Sequence, residues 1–211
     1  MSDQQFPFDE DAQSVPPLSD DDLEGLIEEA PRLALIKPFL ESVRRAAWFR
    51  DVGSAPNRAV RTHAQHYLDG LGFPDVSLAT VADWLDAADA ATAFDLESPA
   101  WEAEEQIRAA LTVEAVDGLG EEVTEVALTH IAAEAAGPVR SSIAEVAALW
   151  DVTDRQVVNA AAGGAVQACH LAALTLITGR AEDSHPFAAK FALFEAGRWP
   201  IGIAGSTFNL F

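Results

Sequence analysis

The chain has 211 residues, 34 acidic and 13 basic, for a formal net charge of −21. That imbalance argues against nonspecific binding to nucleic acid or an anionic membrane, which both need surplus Lys and Arg. The single cysteine, Cys169, excludes an intrachain disulfide framework and any multi-cysteine metal site.

Composition (49% hydrophobic, 22% charged) is that of one globular domain. Met1 to Phe6 lacks the basic start and apolar run of a signal peptide, so the chain is expected to begin at Met1 and to be cytoplasmic. Residues 1–30 carry ten acids and no base. Residues 1–18 are expected to be an acidic disordered tail, because few apolar groups there offset the entropy of ordering. Ser19 is placed to cap a short helix with Leu23, Leu26 and Ile27 on one edge.

Residues 31–61 reverse the sign, to +5. Leu33, Ile36, Leu40, Val43 and Ala47 recur at helical spacing, with Pro38 set to start or kink the helix and Lys37, Arg44 and Trp48 on the opposite face. Lys37, Arg44 and Arg45 form a candidate patch for an anion or an acidic partner segment; the competing reading is neutralisation by the acidic tail.

From Asn57 onward the chain reads as helix after helix. Asn57 caps one running to about Asp69, and Leu78, Val81, Ala82, Leu85 and Ala88 mark the next. Ser98 and Pro99 open another through about Val116, with Glu104 and Arg108 spaced to pair on its wet side. A helix over residues 121–136 is expected to end at Gly137 and Pro138. His130 and Glu134, four apart on it, are spaced to bond. A two-metal site needs a Glu-x-x-His pair on each of two helices and the chain does not have two, so no metal or cofactor is expected.

Between Arg155 and Arg180 no residue carries a formal charge. Gln156, Asn159, Gln167 and His170 would be costly in lipid, so this is expected to be the central helix of a soluble bundle, residues 153–178, and not a membrane span. Its Ala, Gly and Cys face invites a close neighbour, and Cys169 on that face is expected to be inert core. Gln156, Asn159, Gly163, Gln167 and His170 fall within about 80° of arc at 100° per residue. They are either a solvated edge or a pocket wall whose amides and imidazole orient a small ligand.

Residues 142–162 resemble the helix-turn-helix of bacterial DNA-binding regulators, with Ile143, Val146 and Ala147 before the turn, Thr153 as cap and Val157 packing back. The resemblance implies that Arg155, Gln156 and Asn159 would face a major groove. Asp151 stands where a turn glycine is usual, and the segment is net negative, which weighs against phosphate contacts. No phosphate loop, dinucleotide fingerprint or nucleophile elbow occurs.

Ser184 or His185 caps a last helix with Phe187, Phe191 and Phe194 aligned, and residues 198–211 alternate around a glycine as a β-hairpin. Phe194, Trp199, Phe208 and Phe211 are the candidate homodimer interface.

The expected fold is all-α: a single compact multi-helix bundle, residues 19–211, around the uncharged helix, closed by a small C-terminal hairpin. The leading functional expectation is a non-enzymatic protein-interaction or regulatory module that self-associates or binds a protein partner. The alternatives are a small-molecule binder or enzyme using the polar stripe, and a helix-turn-helix regulator.

Overall fold

A computed structural model describes residues 30–93, 95, 97–182 and 184–211, with Gly25 and Ile27. The expected acidic tail and Ser19 cap lie outside the described residues. A 3-10 turn at Pro31–Leu35 leads into α1 (Ile36–Arg45), which buries Ile36, Phe39, Leu40 and Val43 and holds Pro38 harmlessly in its first turn. Trp48 is not on the wet face of that helix: it follows the helix end and is buried, with its indole N–H donating to Val43 O at 2.9 Å. Trp48 and Phe49 both have positive φ, at 24° and 44°. The burial of the two rings against Phe191 and Phe194 holds that uncommon backbone in place.

Helix α2 (Arg58–Leu71) starts as expected at Asn57, whose side chain accepts from Val60 N. It runs through Gly70 to end at Gly72, in the left-handed region at φ 86°. Gly70 is needed for contact: a Cβ there would meet the Pro186 ring at 2.6 Å, so this glycine lets the last helix lie against α2.

The next stretch corrects the expectation of a helix beginning at residue 78. Ser77–Thr80 is a strand, β1, and helix α3 (Trp84–Thr92) begins only after Asp83, whose carboxylate accepts from Leu85 N and Asp86 N. An available strand edge outweighs local periodicity there.

Helix α4 (Pro99–Leu119) is capped by Ser98. Helix α5 (Glu121–Leu149) continues through Gly137 and Pro138, which were expected to end it. Ala127, Ile131, Ala135, Val139, Ile143 and Val146 make one unbroken buried stripe across the proline. That packing offsets an interior proline cost of about 3 kcal/mol.

Asp151 in the following turn has φ 54°, the conformation a turn glycine would supply and one Asp tolerates. Asp154, not Thr153, caps α6 (Arg155–Ile177), the expected central helix. Ala161, Ala165, Ala168, Cys169, Ala172 and Ala173 are all buried, and burial pushes the Cys169 thiol up to about 12. Helix α6 is long and apolar enough to cross a membrane by composition, yet 56% of its apolar window is buried inside the fold.

Helix α7 (Pro186–Glu195) uses His185 as its cap, Nδ1 accepting from Phe187 N at 3.2 Å. The C-terminal hairpin forms as expected from β2 (Pro200–Ala204) and β3 (Thr207–Leu210). It does not stand alone, because β1 adds in parallel to β3 in the order β1-β3-β2. The protein is mostly helical with this small sheet.

The core is divided. The larger cluster surrounds α6 with α1, α5 and the rings of Phe194, Trp199 and Phe211. A smaller one joins α2 and α7 to the sheet through Tyr67, Leu68, Leu193, Phe208 and Leu210.

Candidate functional site

The chain has one tyrosine, Tyr67, and two lysines, Lys37 and Lys190. Tyr67 and Lys190 meet at the seam between the two clusters. Helix α2 brings Tyr67, α4 brings Glu104 and α7 brings Lys190. The Lys190 ammonium donates to Glu104 Oε1 at 2.6 Å and the Tyr67 hydroxyl donates to Glu104 Oε2 at 2.5 Å. The ammonium also lies 5.7 Å from the Tyr67 ring centroid, within cation–π range. Both charged side chains are nearly withdrawn from solvent, at 12% and 11% exposure.

The pairing of Glu104 with Arg108 expected on the wet side of α4 does not form. Arg108 pairs instead with Glu105, three residues before it, with contacts of 2.6 and 3.0 Å. That bond holds the Glu105 carboxyl below its ordinary value and the guanidinium above its own. Glu104 is left to face inward. Burial first, and then the charge and hydrogen bond of Glu104, raise the Tyr67 phenol well above its ordinary value. Tyr67 is therefore a fixed donor at neutral pH and not a proton acceptor.

These three side chains stand on one wall of a cavity of about 280 Å³. The rest of the wall is Trp101, the Ala160–Gly164–Gln167 edge of α6, Ala91, and residues 199–202 at the start of the hairpin. The β2 strand is irregular at this point: Pro200 pairs with Leu210 and Gly202 with Asn209, so Ile201 is the extra residue of a bulge. Bulges re-aim side chains beside sites. Three larger hollows among the described residues, of about 590, 470 and 410 Å³, are more open.

The predicted stripe divides. Gln156, Asn159 and Gly163 are exposed, as on a solvated edge, and so is Gln167, which nevertheless borders the cavity. His170 is half-buried and turns to a different hollow beside Thr112, Thr124 and Leu128. Two of the three residues of the predicted basic patch lie beside acids of the body. Arg44 pairs with Glu134 at 2.6 Å, Lys37 is half-buried, and Arg45 is close enough to Glu195 to oppose the rise that burial imposes on that carboxyl. Glu134 therefore does not bond His130 as expected, and His130 Nδ1 has no partner among the described residues.

The four aromatics expected at a homodimer interface are instead closed within the chain. Phe194, Phe208 and Phe211 are 0% exposed and Trp199 is 3% exposed. The exposed large apolar residues among the described ones are elsewhere: Leu149 and Trp150 at the α5–α6 turn, Leu85 on α3, Val113 on α4 and Leu35 before α1.

Burial lowers both His170 and His185 below the ordinary imidazole value of 6.5. Folding thus prefers their neutral forms, and the unfolded chain binds more protons once the pH falls through about 6.5, so stability should decline from there towards acid. Urea unfolding at about pH 7 and 5.5 measures this. His185→Ser, which keeps the α7 cap without the titration, should flatten the decline.

Comparison with family models, with curated proteins and with solved structures finds no match for the chain. The fold and cavity define a helical protein with an internal polar site, and the chemistry of that site carries the functional reading.

Proposed function

We propose that the protein is a small-molecule-binding protein of the cytoplasm whose site is the cavity between Tyr67, Glu104, Lys190, Trp101 and Trp199. One observation carries this reading: the only tyrosine and one of two lysines converge on a buried glutamate at a cavity edge. Burying an ion pair for stability alone is poor value, since an apolar pair of similar size often does as well. A binding role also suits the protonation states. Tyr67 is held as a phenol and Lys190 is engaged by Glu104, so neither is prepared as a nucleophile or base.

The five indole N–H groups give a direct test. A fragment library screened by ¹⁵N–¹H NMR should shift the Trp101 and Trp199 resonances together and leave Trp48, which does not line the cavity, unmoved. A screen in which no compound moves Trp101 or Trp199 would sink the proposal.

A second reading retains the protein-contact module, relocated. Leu149 is 83% exposed and Trp150 46% exposed, beside a groove lined by Ala147, Val152 and Val158 and rimmed by Thr153, Asp154, Arg155 and Asn159. A knob next to a hole on one face is self-complementary across a two-fold axis. Sedimentation velocity should show a dimer that Leu149→Asp dissociates; a monomer at every concentration would remove this reading.

A further inference from the structure

Lys190 and Trp199 leave unused N–H donors at the cavity. Each oxygen of Glu104 already accepts a short bond, one from Tyr67 and one from Lys190. The Tyr67 hydroxyl has spent its proton on Glu104. Lys190 has three N–H donors and directs one to Glu104, which leaves two. The Trp199 indole N–H lies over Gly164, where a Cβ would sit 3.7 Å from Nε1, and among the described residues it meets no acceptor. Gln167 adds an amide at the rim. The free N–H groups of Lys190 and Trp199 are thus the donors the cavity offers to a ligand acceptor.

Charge is balanced at the same place. Glu104 and Lys190 neutralise each other, so an anionic ligand would set a second negative charge near Glu104 in a chain of net −21. A cationic one would meet the Lys190 ammonium, which already engages the only carboxylate of the lining. Two indoles in the lining, Trp101 and Trp199, favour a flat ring, and the missing side chain of Gly164 leaves room for it beside the Trp199 indole N–H.

Resting on the cavity being the binding site, we infer that it takes a small, uncharged, planar ligand carrying a carbonyl-type acceptor, held by the Lys190 ammonium and the Trp199 indole N–H. An aromatic amide, lactam or heterocyclic carbonyl has this chemistry.

Three probes of nearly equal shape separate the charge states: benzamide, benzoate and benzylammonium, each titrated into ¹⁵N-labelled full-length protein. Benzamide should move the Trp199 indole resonance downfield and saturate, about tenfold more tightly than either ion. Gly164→Ala places a methyl in ordinary contact with the indole and replaces a helical glycine, so it should hold or raise the melting temperature while weakening benzamide about tenfold. If benzoate or benzylammonium saturates the same resonance as tightly as benzamide, charge selection is overturned although the cavity still binds. If benzamide binds wild type and Gly164→Ala alike, the placement beside Trp199 is overturned. If none of the three moves Trp101 or Trp199 while library compounds do, the ligand class is overturned alone; if nothing moves them, the cavity reading falls too.

Discussion

Lys190→Met should destabilise the fold by about 3–5 kcal/mol, because it leaves the Glu104 carboxylate buried without its cation. Glu104 is 9% exposed and cannot turn to solvent without dislodging Tyr67, whose hydroxyl it accepts. The double variant Glu104→Gln/Lys190→Met should recover most of that loss. Its amide oxygen still accepts from Tyr67, no charge is left buried, and Met has nearly the length of the lysine stem. Urea unfolding of wild type, both single variants and the double variant closes the cycle. Losses that simply add would mean that the two groups are not coupled and that the 2.6 Å contact is incidental. Recovery of stability in the double variant also makes it a folded protein without the ammonium. Benzamide should bind it more weakly than wild type, which separates what Lys190 does for the ligand from what it does for the fold.

Much of the fold can be read from residue order, and the departures share a cause. Asn57, Ser98 and the uncharged run after Arg155 mark helix starts by local chemistry, and the structure begins helices there. Pro138 is read as a stop because a proline removes a local hydrogen bond. The buried stripe from Ala127 to Val146 that overrides it is visible only once α5 is packed. Likewise Leu78 to Leu85 has helical spacing, but an unpaired edge of β3, over a hundred residues away, draws Ser77–Thr80 into a strand.

The site was least legible of all. Glu104 and Arg108 have the spacing of a surface pair, so Glu104 reads as solvated, and nothing local says that Arg108 prefers Glu105. The usable signal was scarcity: a chain that uses eleven arginines and two lysines, with one tyrosine, has reason to place each rare residue, and Lys190 and Tyr67 share one partner. Of the predicted stripe only Gln167 reaches that cavity, since neighbouring helices decide which part of α6 is covered.

The other large effect is expected at Arg198, the residue before Trp199. Its side chain is 1% exposed and holds three oxygens of the α1–α2 connection: Ser54 O at 2.5 Å, Ala55 O at 3.2 Å and Asp51 Oδ2 at 2.7 Å. The backbone reinforces the junction, Asp51 N donating to Gly197 O at 3.1 Å. Arg198→Met keeps the apolar stem but leaves two carbonyls and the Asp51 carboxylate without their donor, and should cost about 3 kcal/mol or more. Arg198→Lys should recover only part of this, because one ammonium cannot reproduce a planar fork spread over three acceptors. Asp51→Asn should cost less than about 1 kcal/mol, since that carboxylate is half in water and its loss leaves both carbonyl bonds intact. If Asp51→Asn proved as damaging as Arg198→Met, the ion pair and not the carbonyl clamp would hold the junction. The consequence reaches the cavity through the chain itself. Trp199 exchanges backbone hydrogen bonds with Phe211 immediately after the clamp. Hydrogen exchange of those two amides should therefore quicken in Arg198→Met, and binding at the Trp199 indole should weaken with it.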